Sequence, residues 1–431
     1  SQGFEDSEKA LFGLSYQKHF SSIFRQSTSI FGGFRNAFEV RPFNILKEQT
    51  QQLGIRSRLI MDGNDKGVPL MGQIGVETFS EWYNWQTNVN VEGLGGLGDL
   101  LSQNEEVRRY WNVFGQVDWR LSEKTALTAG LNLNQTNYRL EDLFPADSLD
   151  QSGAYQFNLA LSPRLAINHA LLNSLSNQIH LHASIAHGFS PPSLEETLTP
   201  DGQINPDIQP ENGWNLEMGI RGNYGKLFFD LSLYRMYIND LLVARRTGND
   251  AFVGVNAGAS RHDGLELAMD YQLLAKGANQ VKAFLRYTYA NYRFTDFVDG
   301  DDDFSGNAIP GTPPHHLHLG LDAQSAWGLY GNVNFQFVGS RPLRDDNILA
   351  SEPYQVLNAR IGFRREIGQH LQLDIFGGLQ NVLDEQYASM ILINAGSFGG
   401  RAPRYFYPGL PRNWFAGAKL AVFFRPKQNQ R

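Results

Sequence analysis

The sequence predicts an all-β protein, a transmembrane antiparallel β-barrel with a polar or plugged interior. Three observations lead to this fold class. Apolar and polar residues alternate with period two in many segments, which is typical of strands with two different faces. No stretch shows comparable helical periodicity. Short turns and long loops follow each other in alternation, as they do in outer-membrane barrels, whose closed sheet leaves no backbone group unpaired in lipid.

The alternation is clearest in five segments. Apolar residues occupy every second position in 111–119, 127–134, 317–321, 333–337 and 371–379, with Asn, Gln, Asp, Thr, Gly or His between them. The same pattern extends to the segments near 155–162, 179–186, 214–221, 227–235, 265–272 and 357–364. A polar face of this kind does not suit a packed aliphatic core, so it predicts a wet or plugged barrel interior.

Connections of two lengths join these segments. Short turns are predicted at 121–124, 223–226, 325–328 and 367–370, and long loops near 35–48, 85–107, 141–152, 190–210, 296–314, 342–353 and 381–410. Aromatic residues near strand ends suit interfacial girdles, namely Trp82, Tyr83, Trp85, Trp111, Trp119, Tyr287, Tyr289 and Trp414. The reading gives about seventeen strands, with boundaries uncertain by a few residues.

Composition narrows the possible functions. The chain of 431 residues has no cysteine, a net charge of −7 and 42% hydrophobic residues. Disulfide frameworks and cysteine-ligated metals are therefore excluded, and a basic nucleic-acid binder is disfavoured. The mean hydropathy is −0.36, and no apolar run is long enough for a transmembrane helix. We find no P-loop, nucleophile elbow or zinc-protease motif, so we expect no enzymatic activity.

Six short motifs in the second half of the chain resemble those of TonB-dependent outer-membrane receptors. They occur in family order, which makes the resemblance specific over about 240 residues although each motif alone is weak. The motifs lie at 187–196 (HGFSPPSLEE), 205–211 (NPDIQPE), 214–220 (WNLEMGI), 255–267 (VNAG followed by GLEL), 379–387 (LQNVLDEQY) and 408–414 (PGLPRNW). Two features depart from the family pattern: Ser190-Pro191 replaces the frequent Arg-Ala, and seven residues follow Phe424.

The resemblance implies a 22-strand barrel with an N-terminal plug in the bacterial outer membrane. Because about seventeen is an odd count, we expect residues 1–424 to form part of the barrel, residues 425–431 to form a polar tail, and the remaining strands, plug and TonB box to lie upstream. The implied partners are the TonB complex, outer-membrane lipid with lipopolysaccharide, and the barrel-assembly machinery. For assembly, Trp414, Leu420, Val422 and Phe424 form the candidate signal, although an ordinary lipid-facing strand has the same pattern.

The resemblance also implies active uptake of a ferric chelate, with the chelate as cargo and no resident cofactor or metal. Cobalamin, haem, another metal chelate or a saccharide stay open as cargo, and a passive porin is a further alternative. Arginine offers planar donors for carboxylates, and aromatic rings offer flat surfaces for aryl groups. The candidate ligand-binding residues are Tyr138, Arg139, Arg245, Arg246, Arg341, Arg344, Arg401, Arg404, Tyr405 and Tyr407. Ion pairing with loop acids, lipopolysaccharide contact or a place in the girdle would explain the same residues.

Four histidines and one acidic run are candidate metal ligands in this sequence. His180, His182, His316 and His318 fall on the polar face, where hydrogen bonding explains them better than iron ligation. The resemblance implies that a haem receptor of this family has a histidine between the boxes at 189–192 and 205–208. No histidine lies between Phe189 and Glu211 here, so haem is disfavoured. The run 299–303 begins like a calcium loop, but the twelfth position is Pro310 rather than a bidentate Glu, so a solvated loop is expected.

Overall fold

The computed structural model describes residues 3–41, 44–63, 67–91, 93, 95–144, 150–193, 205, 208–246, 252–256, 258–397 and 400–424, with backbone only at 244–246 and 252–254. These residues form strands and connecting loops. Within them, no helix is long and apolar enough to cross a membrane.

Twenty-three strands are present in the described part of the chain. They are β1 (Phe4–His19), β2 (Phe24–Val40), β3 (Asn44–Asp62), β4 (Leu70–Val91), β5 (Gly96–Arg120), β6 (Thr125–Asp142), β7 (Gly153–Gln156), β8 (Ala160–Asn173), β9 (Asn177–Ser190), β10 (Glu211–Tyr224), β11 (Leu227–Asn239), β12 (Leu242–Arg246), β13 (Phe252–Asn256), β14 (Gly258–Lys276), β15 (Asn279–Asp299), β16 (Asp302–Asp303), β17 (His315–Gln324), β18 (Leu329–Val338), β19 (Tyr354–Ile367), β20 (Leu371–Gln380), β21 (Ala388–Ile391), β22 (Phe406–Pro408) and β23 (Asn413–Val422). Seventeen of them have ten or more residues, and the other six are short. The predicted all-β class is confirmed, and the number of long strands agrees with the sequence-based count.

Two compact units divide the chain. The first comprises Ser1–Ile167, Ser184–Asn215 and Ile238–Ala259; the second comprises Asn168–Ala183, Leu216–Tyr237 and Ser260–Arg431. In the first unit, β1 to β6 pair with their neighbours in chain order, all antiparallel. In the second unit, β15, β17, β18, β19, β20 and β23 form the corresponding antiparallel ladder. Both are meanders built from hairpins.

Each ladder has one polar face and one apolar face. On the polar face, cross-strand amides bond to each other: Asn134 donates to Asn112 at 2.8 Å and Asn358 donates to Asn334 at 3.1 Å. On the apolar face, side chains have no protein layer over them, and Ile361 is 60% exposed. An exposed apolar surface of this size is unfavourable in water and favourable in lipid, so this face suits contact with a membrane.

Aromatic rings on the polar face lie over glycines of the neighbouring strand. Tyr330 is the register partner of Gly362, and Phe284 is that of Gly320. A Cβ atom at either glycine would collide with the ring. Glycine is therefore required here for close approach of a neighbouring ring, and the ring in turn covers backbone that glycine leaves bare.

Three sequence-based boundaries are corrected. The predicted loop 35–48 is mostly strand, because β2 continues to Val40 and β3 begins at Asn44; the predicted loop 85–107 is mostly strand as well. Apolar and polar residues are mixed there, with Val40 and Ile45 buried, so the regular alternation that marks lipid-facing strands disappears while the ladder continues. The predicted strand 155–162 is split between β7 and β8. The other long loops are in the predicted places, with β16 inside 296–314 and β21–β22 inside 381–410.

Two predicted girdle aromatics lie on the polar face instead. Tyr83 donates its hydroxyl to Glu48, and Trp85 donates its indole N–H to Glu106 at 2.7 Å. Alternation explains the difference, since residues 83 and 85 share a face that residue 82 does not.

Candidate functional site

The motifs that carry the resemblance build hydrogen-bonded clasps at the loop end of the strands. Asn256, from the VNAG motif, joins the loop that holds the NPDIQPE motif. Its Oδ1 accepts from the Gln209 N–H at 2.7 Å, and its Nδ2 donates to the Gln209 carbonyl at 2.9 Å and to the Asp240 carbonyl at 2.7 Å. Glu211 accepts the backbone N–H of Leu242 at 2.8 Å. These two motifs therefore fix the start of β10 against β12 and β13.

A second clasp joins the LQNVLDEQY and PGLPRNW motifs. Asn381 is 2% exposed and adopts φ of 49°. Its Nδ2 donates to the carbonyls of Glu385 at 2.9 Å and Leu410 at 3.1 Å, while its Oδ1 accepts the Glu385 N–H at 2.9 Å. Asp384 accepts the N–H of Arg412 at 2.8 Å. The clasp closes the base of the last long loop, so the polar groups of its motif residues are engaged in hydrogen bonds within the chain.

A third clasp ties three loops of the second unit together. Asn347 accepts the Ala308 N–H and donates back to the Ala308 carbonyl, at 2.8 and 2.9 Å. Asn394 donates to Asp345 at 2.8 Å, and its backbone N–H donates to the carbonyl of fully buried Leu343 at 2.9 Å. Burial raises the pKa of Asp345, and the neighbouring carboxylates Asp299 and Asp346 raise it further, against the opposing bond from Asn394.

Tyr138 and Arg139 are placed on opposite faces of β6. Tyr138 is 8% exposed, packs edge-on against Phe157 at 5.1 Å and donates its hydroxyl to the Pro192 carbonyl at 2.8 Å. Arg139 is exposed and pairs with Glu141 at 2.9 Å. Tyr138 thus anchors the start of the loop after β9, and Arg139 already has an anionic partner.

Of the two arginines that enter the loop after β18, one is paired and one is not. Arg344 forms an ion pair with Asp346 at 2.5 Å. The side chain of Arg341 has no hydrogen-bond partner among the described residues, and its Nε is buried. Arg341 lies close enough to His316 and Tyr354 for its charge to act on both.

The remaining predicted ligand-binding residues lie in two loop hairpins. Arg245 and Arg246 end β12, where only the backbone is described. Arg401 and Arg404 are exposed in the last long loop and have no acidic partner within the described ranges. Tyr405 contacts Phe406 with ring centroids 6.4 Å apart, and Tyr407 is 47% exposed on β22. Exposed aromatic and cationic groups are therefore present in the loop that contains β21 and β22.

The candidate assembly residues follow the predicted ladder. Trp414, Leu420 and Val422 occupy alternate positions on the apolar face of β23 and are 77%, 60% and 53% exposed. Phe424 follows the strand and is 95% exposed. Residues 425–431 lie outside the described residues.

The four candidate histidines lie among hydrogen-bonding or aromatic neighbours. His180 contacts Asn168 at 3.0 Å, His182 contacts Glu217 at 3.3 Å, and His316 contacts Gln336 at 2.9 Å. His318 meets the ring of Phe284 edge-on at 5.2 Å. Within the described residues, no group of three or more His, Asp or Glu side chains could hold a metal ion.

The polar face of the first unit carries an ion-pair network that the sequence analysis missed. Its pairs are Arg35 with Glu5 and Glu48, Arg108 with Glu81 and Glu106, and Arg56 with Glu77. Glu77 and Glu106 are 6% and 4% exposed. Each of these arginines has a carboxylate partner, so the network offers no surplus positive charge to an anionic ligand.

The polar face of the second unit also carries ion pairs, such as Arg364 with Asp374 at 2.7 Å and Arg286 with Asp270 at 2.8 Å, but one part of it is lined by amides. A cavity of about 410 Å³ opens between β18, β19, β20 and β23, and we call it the amide cavity. Its side-chain amides come from Asn332, Asn334, Gln336, Asn358, Gln380, Asn381 and Asn413. Arg360, Tyr387 and Phe415 also line it, and no carboxylate does. Arg360 stacks on Phe376 at 4.1 Å, and its Nε has no hydrogen-bond partner.

Arg341 does not itself line the amide cavity. It is linked to the cavity on two sides, since its neighbour His316 contacts Gln336, and its neighbour Tyr354 lies 5.0 Å from the ring of Tyr387. Gln336 and Tyr387 both line the cavity. The cavity lining combines one guanidinium group, several amide donors and two aromatic rings, and the charge of Arg360 also acts on nearby Asp374. Guanidinium and amide N–H groups suit a ligand rich in oxygen acceptors.

Comparison with known proteins agrees with this architecture. The family model described as TonB dependent receptor-like, beta-barrel matches residues 3–382. The chain therefore belongs to the TonB-dependent receptor family of β-barrels, and this membership places it in the bacterial outer membrane. In such barrels the polar face lines the interior and the apolar face meets lipid.

Individual relatives are distant. The chain is 25% identical over 233 residues to a ferrioxamine receptor of Yersinia enterocolitica, a match over 50% of this chain and 30% of that protein. The copper transporter OprC has a TM-score of 0.76 at 18% identity, with 97% of this chain and 66% of the other covered. The ferric citrate transporter FecA, in its unliganded form, has a TM-score of 0.71 at 18% identity, with 97% and 62% covered. The chain thus spans less than two thirds of each, and the two structures show the fold alone.

Proposed function

We propose that this chain forms part of the barrel of a TonB-dependent active transporter. The transporter imports a ferric chelate through the outer membrane, without covalent chemistry. The observation that carries the proposal is the amide cavity with Arg360 in its wall and with Arg341 connected to it through His316 and Tyr354. Ferric chelates present several oxygen atoms, often with negative charge, and guanidinium and amide N–H groups are suitable donors to them.

The cavity lining also favours a chelate over a bare soft metal ion. Copper(I) prefers thiolate or thioether ligands, and imidazole suits copper well, but Cys, Met and His do not line the amide cavity. The ferrioxamine receptor and the ferric citrate transporter support iron by their names, whereas the copper transporter supports another metal. Energy would come from the TonB complex acting on a plug, as in the family.

The test is chelate binding by the full-length receptor with Arg341→Gln. A hydrogen bond to a charged group contributes about 1.5–3 kcal/mol, so Kd for an anionic ferric chelate should rise about ten- to a hundredfold. Arg139→Gln is the matched control. Arg139 already pairs with Glu141, and both lie on the face of β6 opposite to Tyr138, so this variant should leave Kd unchanged.

Uptake of radioactive iron completes the test. We expect uptake to need both TonB and Arg341, and the full-length receptor to be nearly closed in planar bilayers. Absence of ferric-chelate binding by the wild-type receptor, or a large constitutive conductance, would refute the proposal.

A further inference from the structure

An apolar groove lies on the face of the second unit opposite to the amide cavity. Its volume is about 990 Å³, larger than that of the amide cavity. Its floor is a row of successive register partners, listed in strand order from β17 to β23 as Ala323, Gly331, Ile361, Gly377 and Ala416. Its walls include Leu321, Val333, Leu379 and Trp414. We call this feature the lipid-face groove.

The register explains why a groove exists here. Gly331 and Gly377 carry no side chain, and Ala323 and Ala416 carry only a methyl group, so four of the five floor positions are lower than the leucine, valine and tryptophan beside them. Four inter-strand steps of about 4.8 Å make the floor about 19 Å long. Strands of outer-membrane barrels tilt by about 35–45°, so a row of this length across the strands spans about 11–13 Å of membrane depth. That depth fits within one leaflet, which is about half of the roughly 30 Å hydrocarbon core.

One end of the lipid-face groove is polar. Lys276, Asn279 and Ser325 line that end. They belong to the short turns at 277–278 and 325–328, and short turns face the periplasm in outer-membrane barrels. Lys276 is exposed and has no carboxylate partner within the residues that the structure describes. The other end is closed by Trp414 and Leu379. Arg360 also borders the groove there, but its guanidinium group stacks on Phe376 on the opposite, polar face.

We propose that the lipid-face groove binds one acyl chain of a glycerophospholipid of the periplasmic leaflet, with the phosphate of its headgroup against the Lys276 ammonium group. The apolar floor and walls accept the chain, and the cationic end accepts the phosphate. The position of Lys276 favours this leaflet, because the phosphates of lipopolysaccharide would lie at the opposite, uncharged end. It also disfavours a second copy of the chain, since that would bring two unpaired ammonium groups together in a poorly solvated contact.

The experiment is native mass spectrometry of the full-length receptor, solubilised in mild detergent and titrated with phosphatidylglycerol. We expect one retained phospholipid per receptor. Ala416→Leu fills the floor and should lower retention about tenfold, equivalent to about 1.4 kcal/mol. Ala418→Leu is the matched control, since Ala418 is two residues away on the same face of β23 but does not line the groove, and it should leave retention unchanged.

Substitution at Lys276 tests the headgroup separately. Lys276→Gln should lower the preference for phosphatidylglycerol over phosphatidylcholine about two- to fivefold, as expected for an exposed ion pair, and Lys276→Arg should preserve it. Folding of each variant is checked by its heat-modifiable electrophoretic mobility. Equal losses in Ala416→Leu and Ala418→Leu, retention of lipid A in place of phospholipid, or no retained lipid in the folded wild-type receptor would each overturn the proposal. None of these outcomes depends on which solute the receptor transports.

Discussion

Replacing Asn381 by alanine should open the base of the last long loop. Asn381 is 2% exposed, and its amide makes three side-chain hydrogen bonds, two with Glu385 and one with Leu410. It also holds a left-handed backbone conformation with φ of 49°. Alanine removes all three bonds and tolerates this conformation less well than asparagine does.

The expected cost follows from these contacts. Three hydrogen bonds at about 1 kcal/mol each give about 3 kcal/mol. The left-handed conformation adds roughly 1 kcal/mol for alanine. A local destabilisation of about 3–4 kcal/mol corresponds to a factor of about 10² to 10³ in the opening equilibrium.

Hydrogen exchange measures this opening directly, because the Glu385 N–H is one of the three donors. In the full-length receptor with Asn381→Ala, exchange at Glu385 should be at least about a hundredfold faster, while amides in the centres of β19 and β20 should keep their protection. Asn332→Ala is the control: Asn332 lines the same cavity without a hydrogen bond of its own within the described residues. Unchanged protection at Glu385 in Asn381→Ala would refute the role of the clasp.

Three further predictions concern other contacts. Asn256→Ala should accelerate exchange at the Gln209 N–H about tenfold or more without affecting β2–β3, and equal protection would contradict the first clasp. Because the pKa of Asp345 is raised on folding, its loop should gain stability as pH falls from 7 through that pKa towards the unfolded value near 3.9. Asp345→Asn should flatten this pH dependence when hydrogen exchange is measured at several pH values. An unchanged slope in the variant would contradict the role of Asp345. Gly362→Ala should displace the Tyr330 ring and cost about 1–3 kcal/mol, visible as a lower heat-modification temperature, and a wild-type value would show that the ring can move freely.

The fold was predictable wherever lipid and interior impose different chemistry on the two faces of a strand. Alternation located β17, β18 and β20 nearly to the residue. It failed at the loop ends of β2 to β5, where residues such as Trp85 and Asn104 are still paired in a ladder but apolar and polar residues no longer alternate regularly. There, pairing is determined by cross-strand partners many residues away, which a local pattern does not contain.

For some of the candidate arginines, the sequence alone could have shown which ones form ion pairs. Residues two apart on a strand share a face, so the acids two positions after Arg139 and Arg344 could have identified both ion pairs. Arg341 has no such acid two residues on, and within the described residues its side chain has no hydrogen-bond partner. The amide cavity could not have been found in the same way, because Asn334 and Asn358 become neighbours only through the register of β18 and β19.

Residues inside and outside the family motifs differ in their contacts, and this difference bears on which residues determine ligand preference. Asn256 and Asn381, which lie in the family motifs, use their amides to hold loops together. Asn358 and Arg360, which lie outside every motif, line the amide cavity, but so do the motif residues Gln380, Tyr387 and Asn413. Asn358 also accepts the backbone N–H of Asn381 at 2.9 Å and thereby supports the second clasp. Under the proposed function, exchanging Arg360, which takes no part in a clasp, should change ligand preference while the clasps and the fold stay intact.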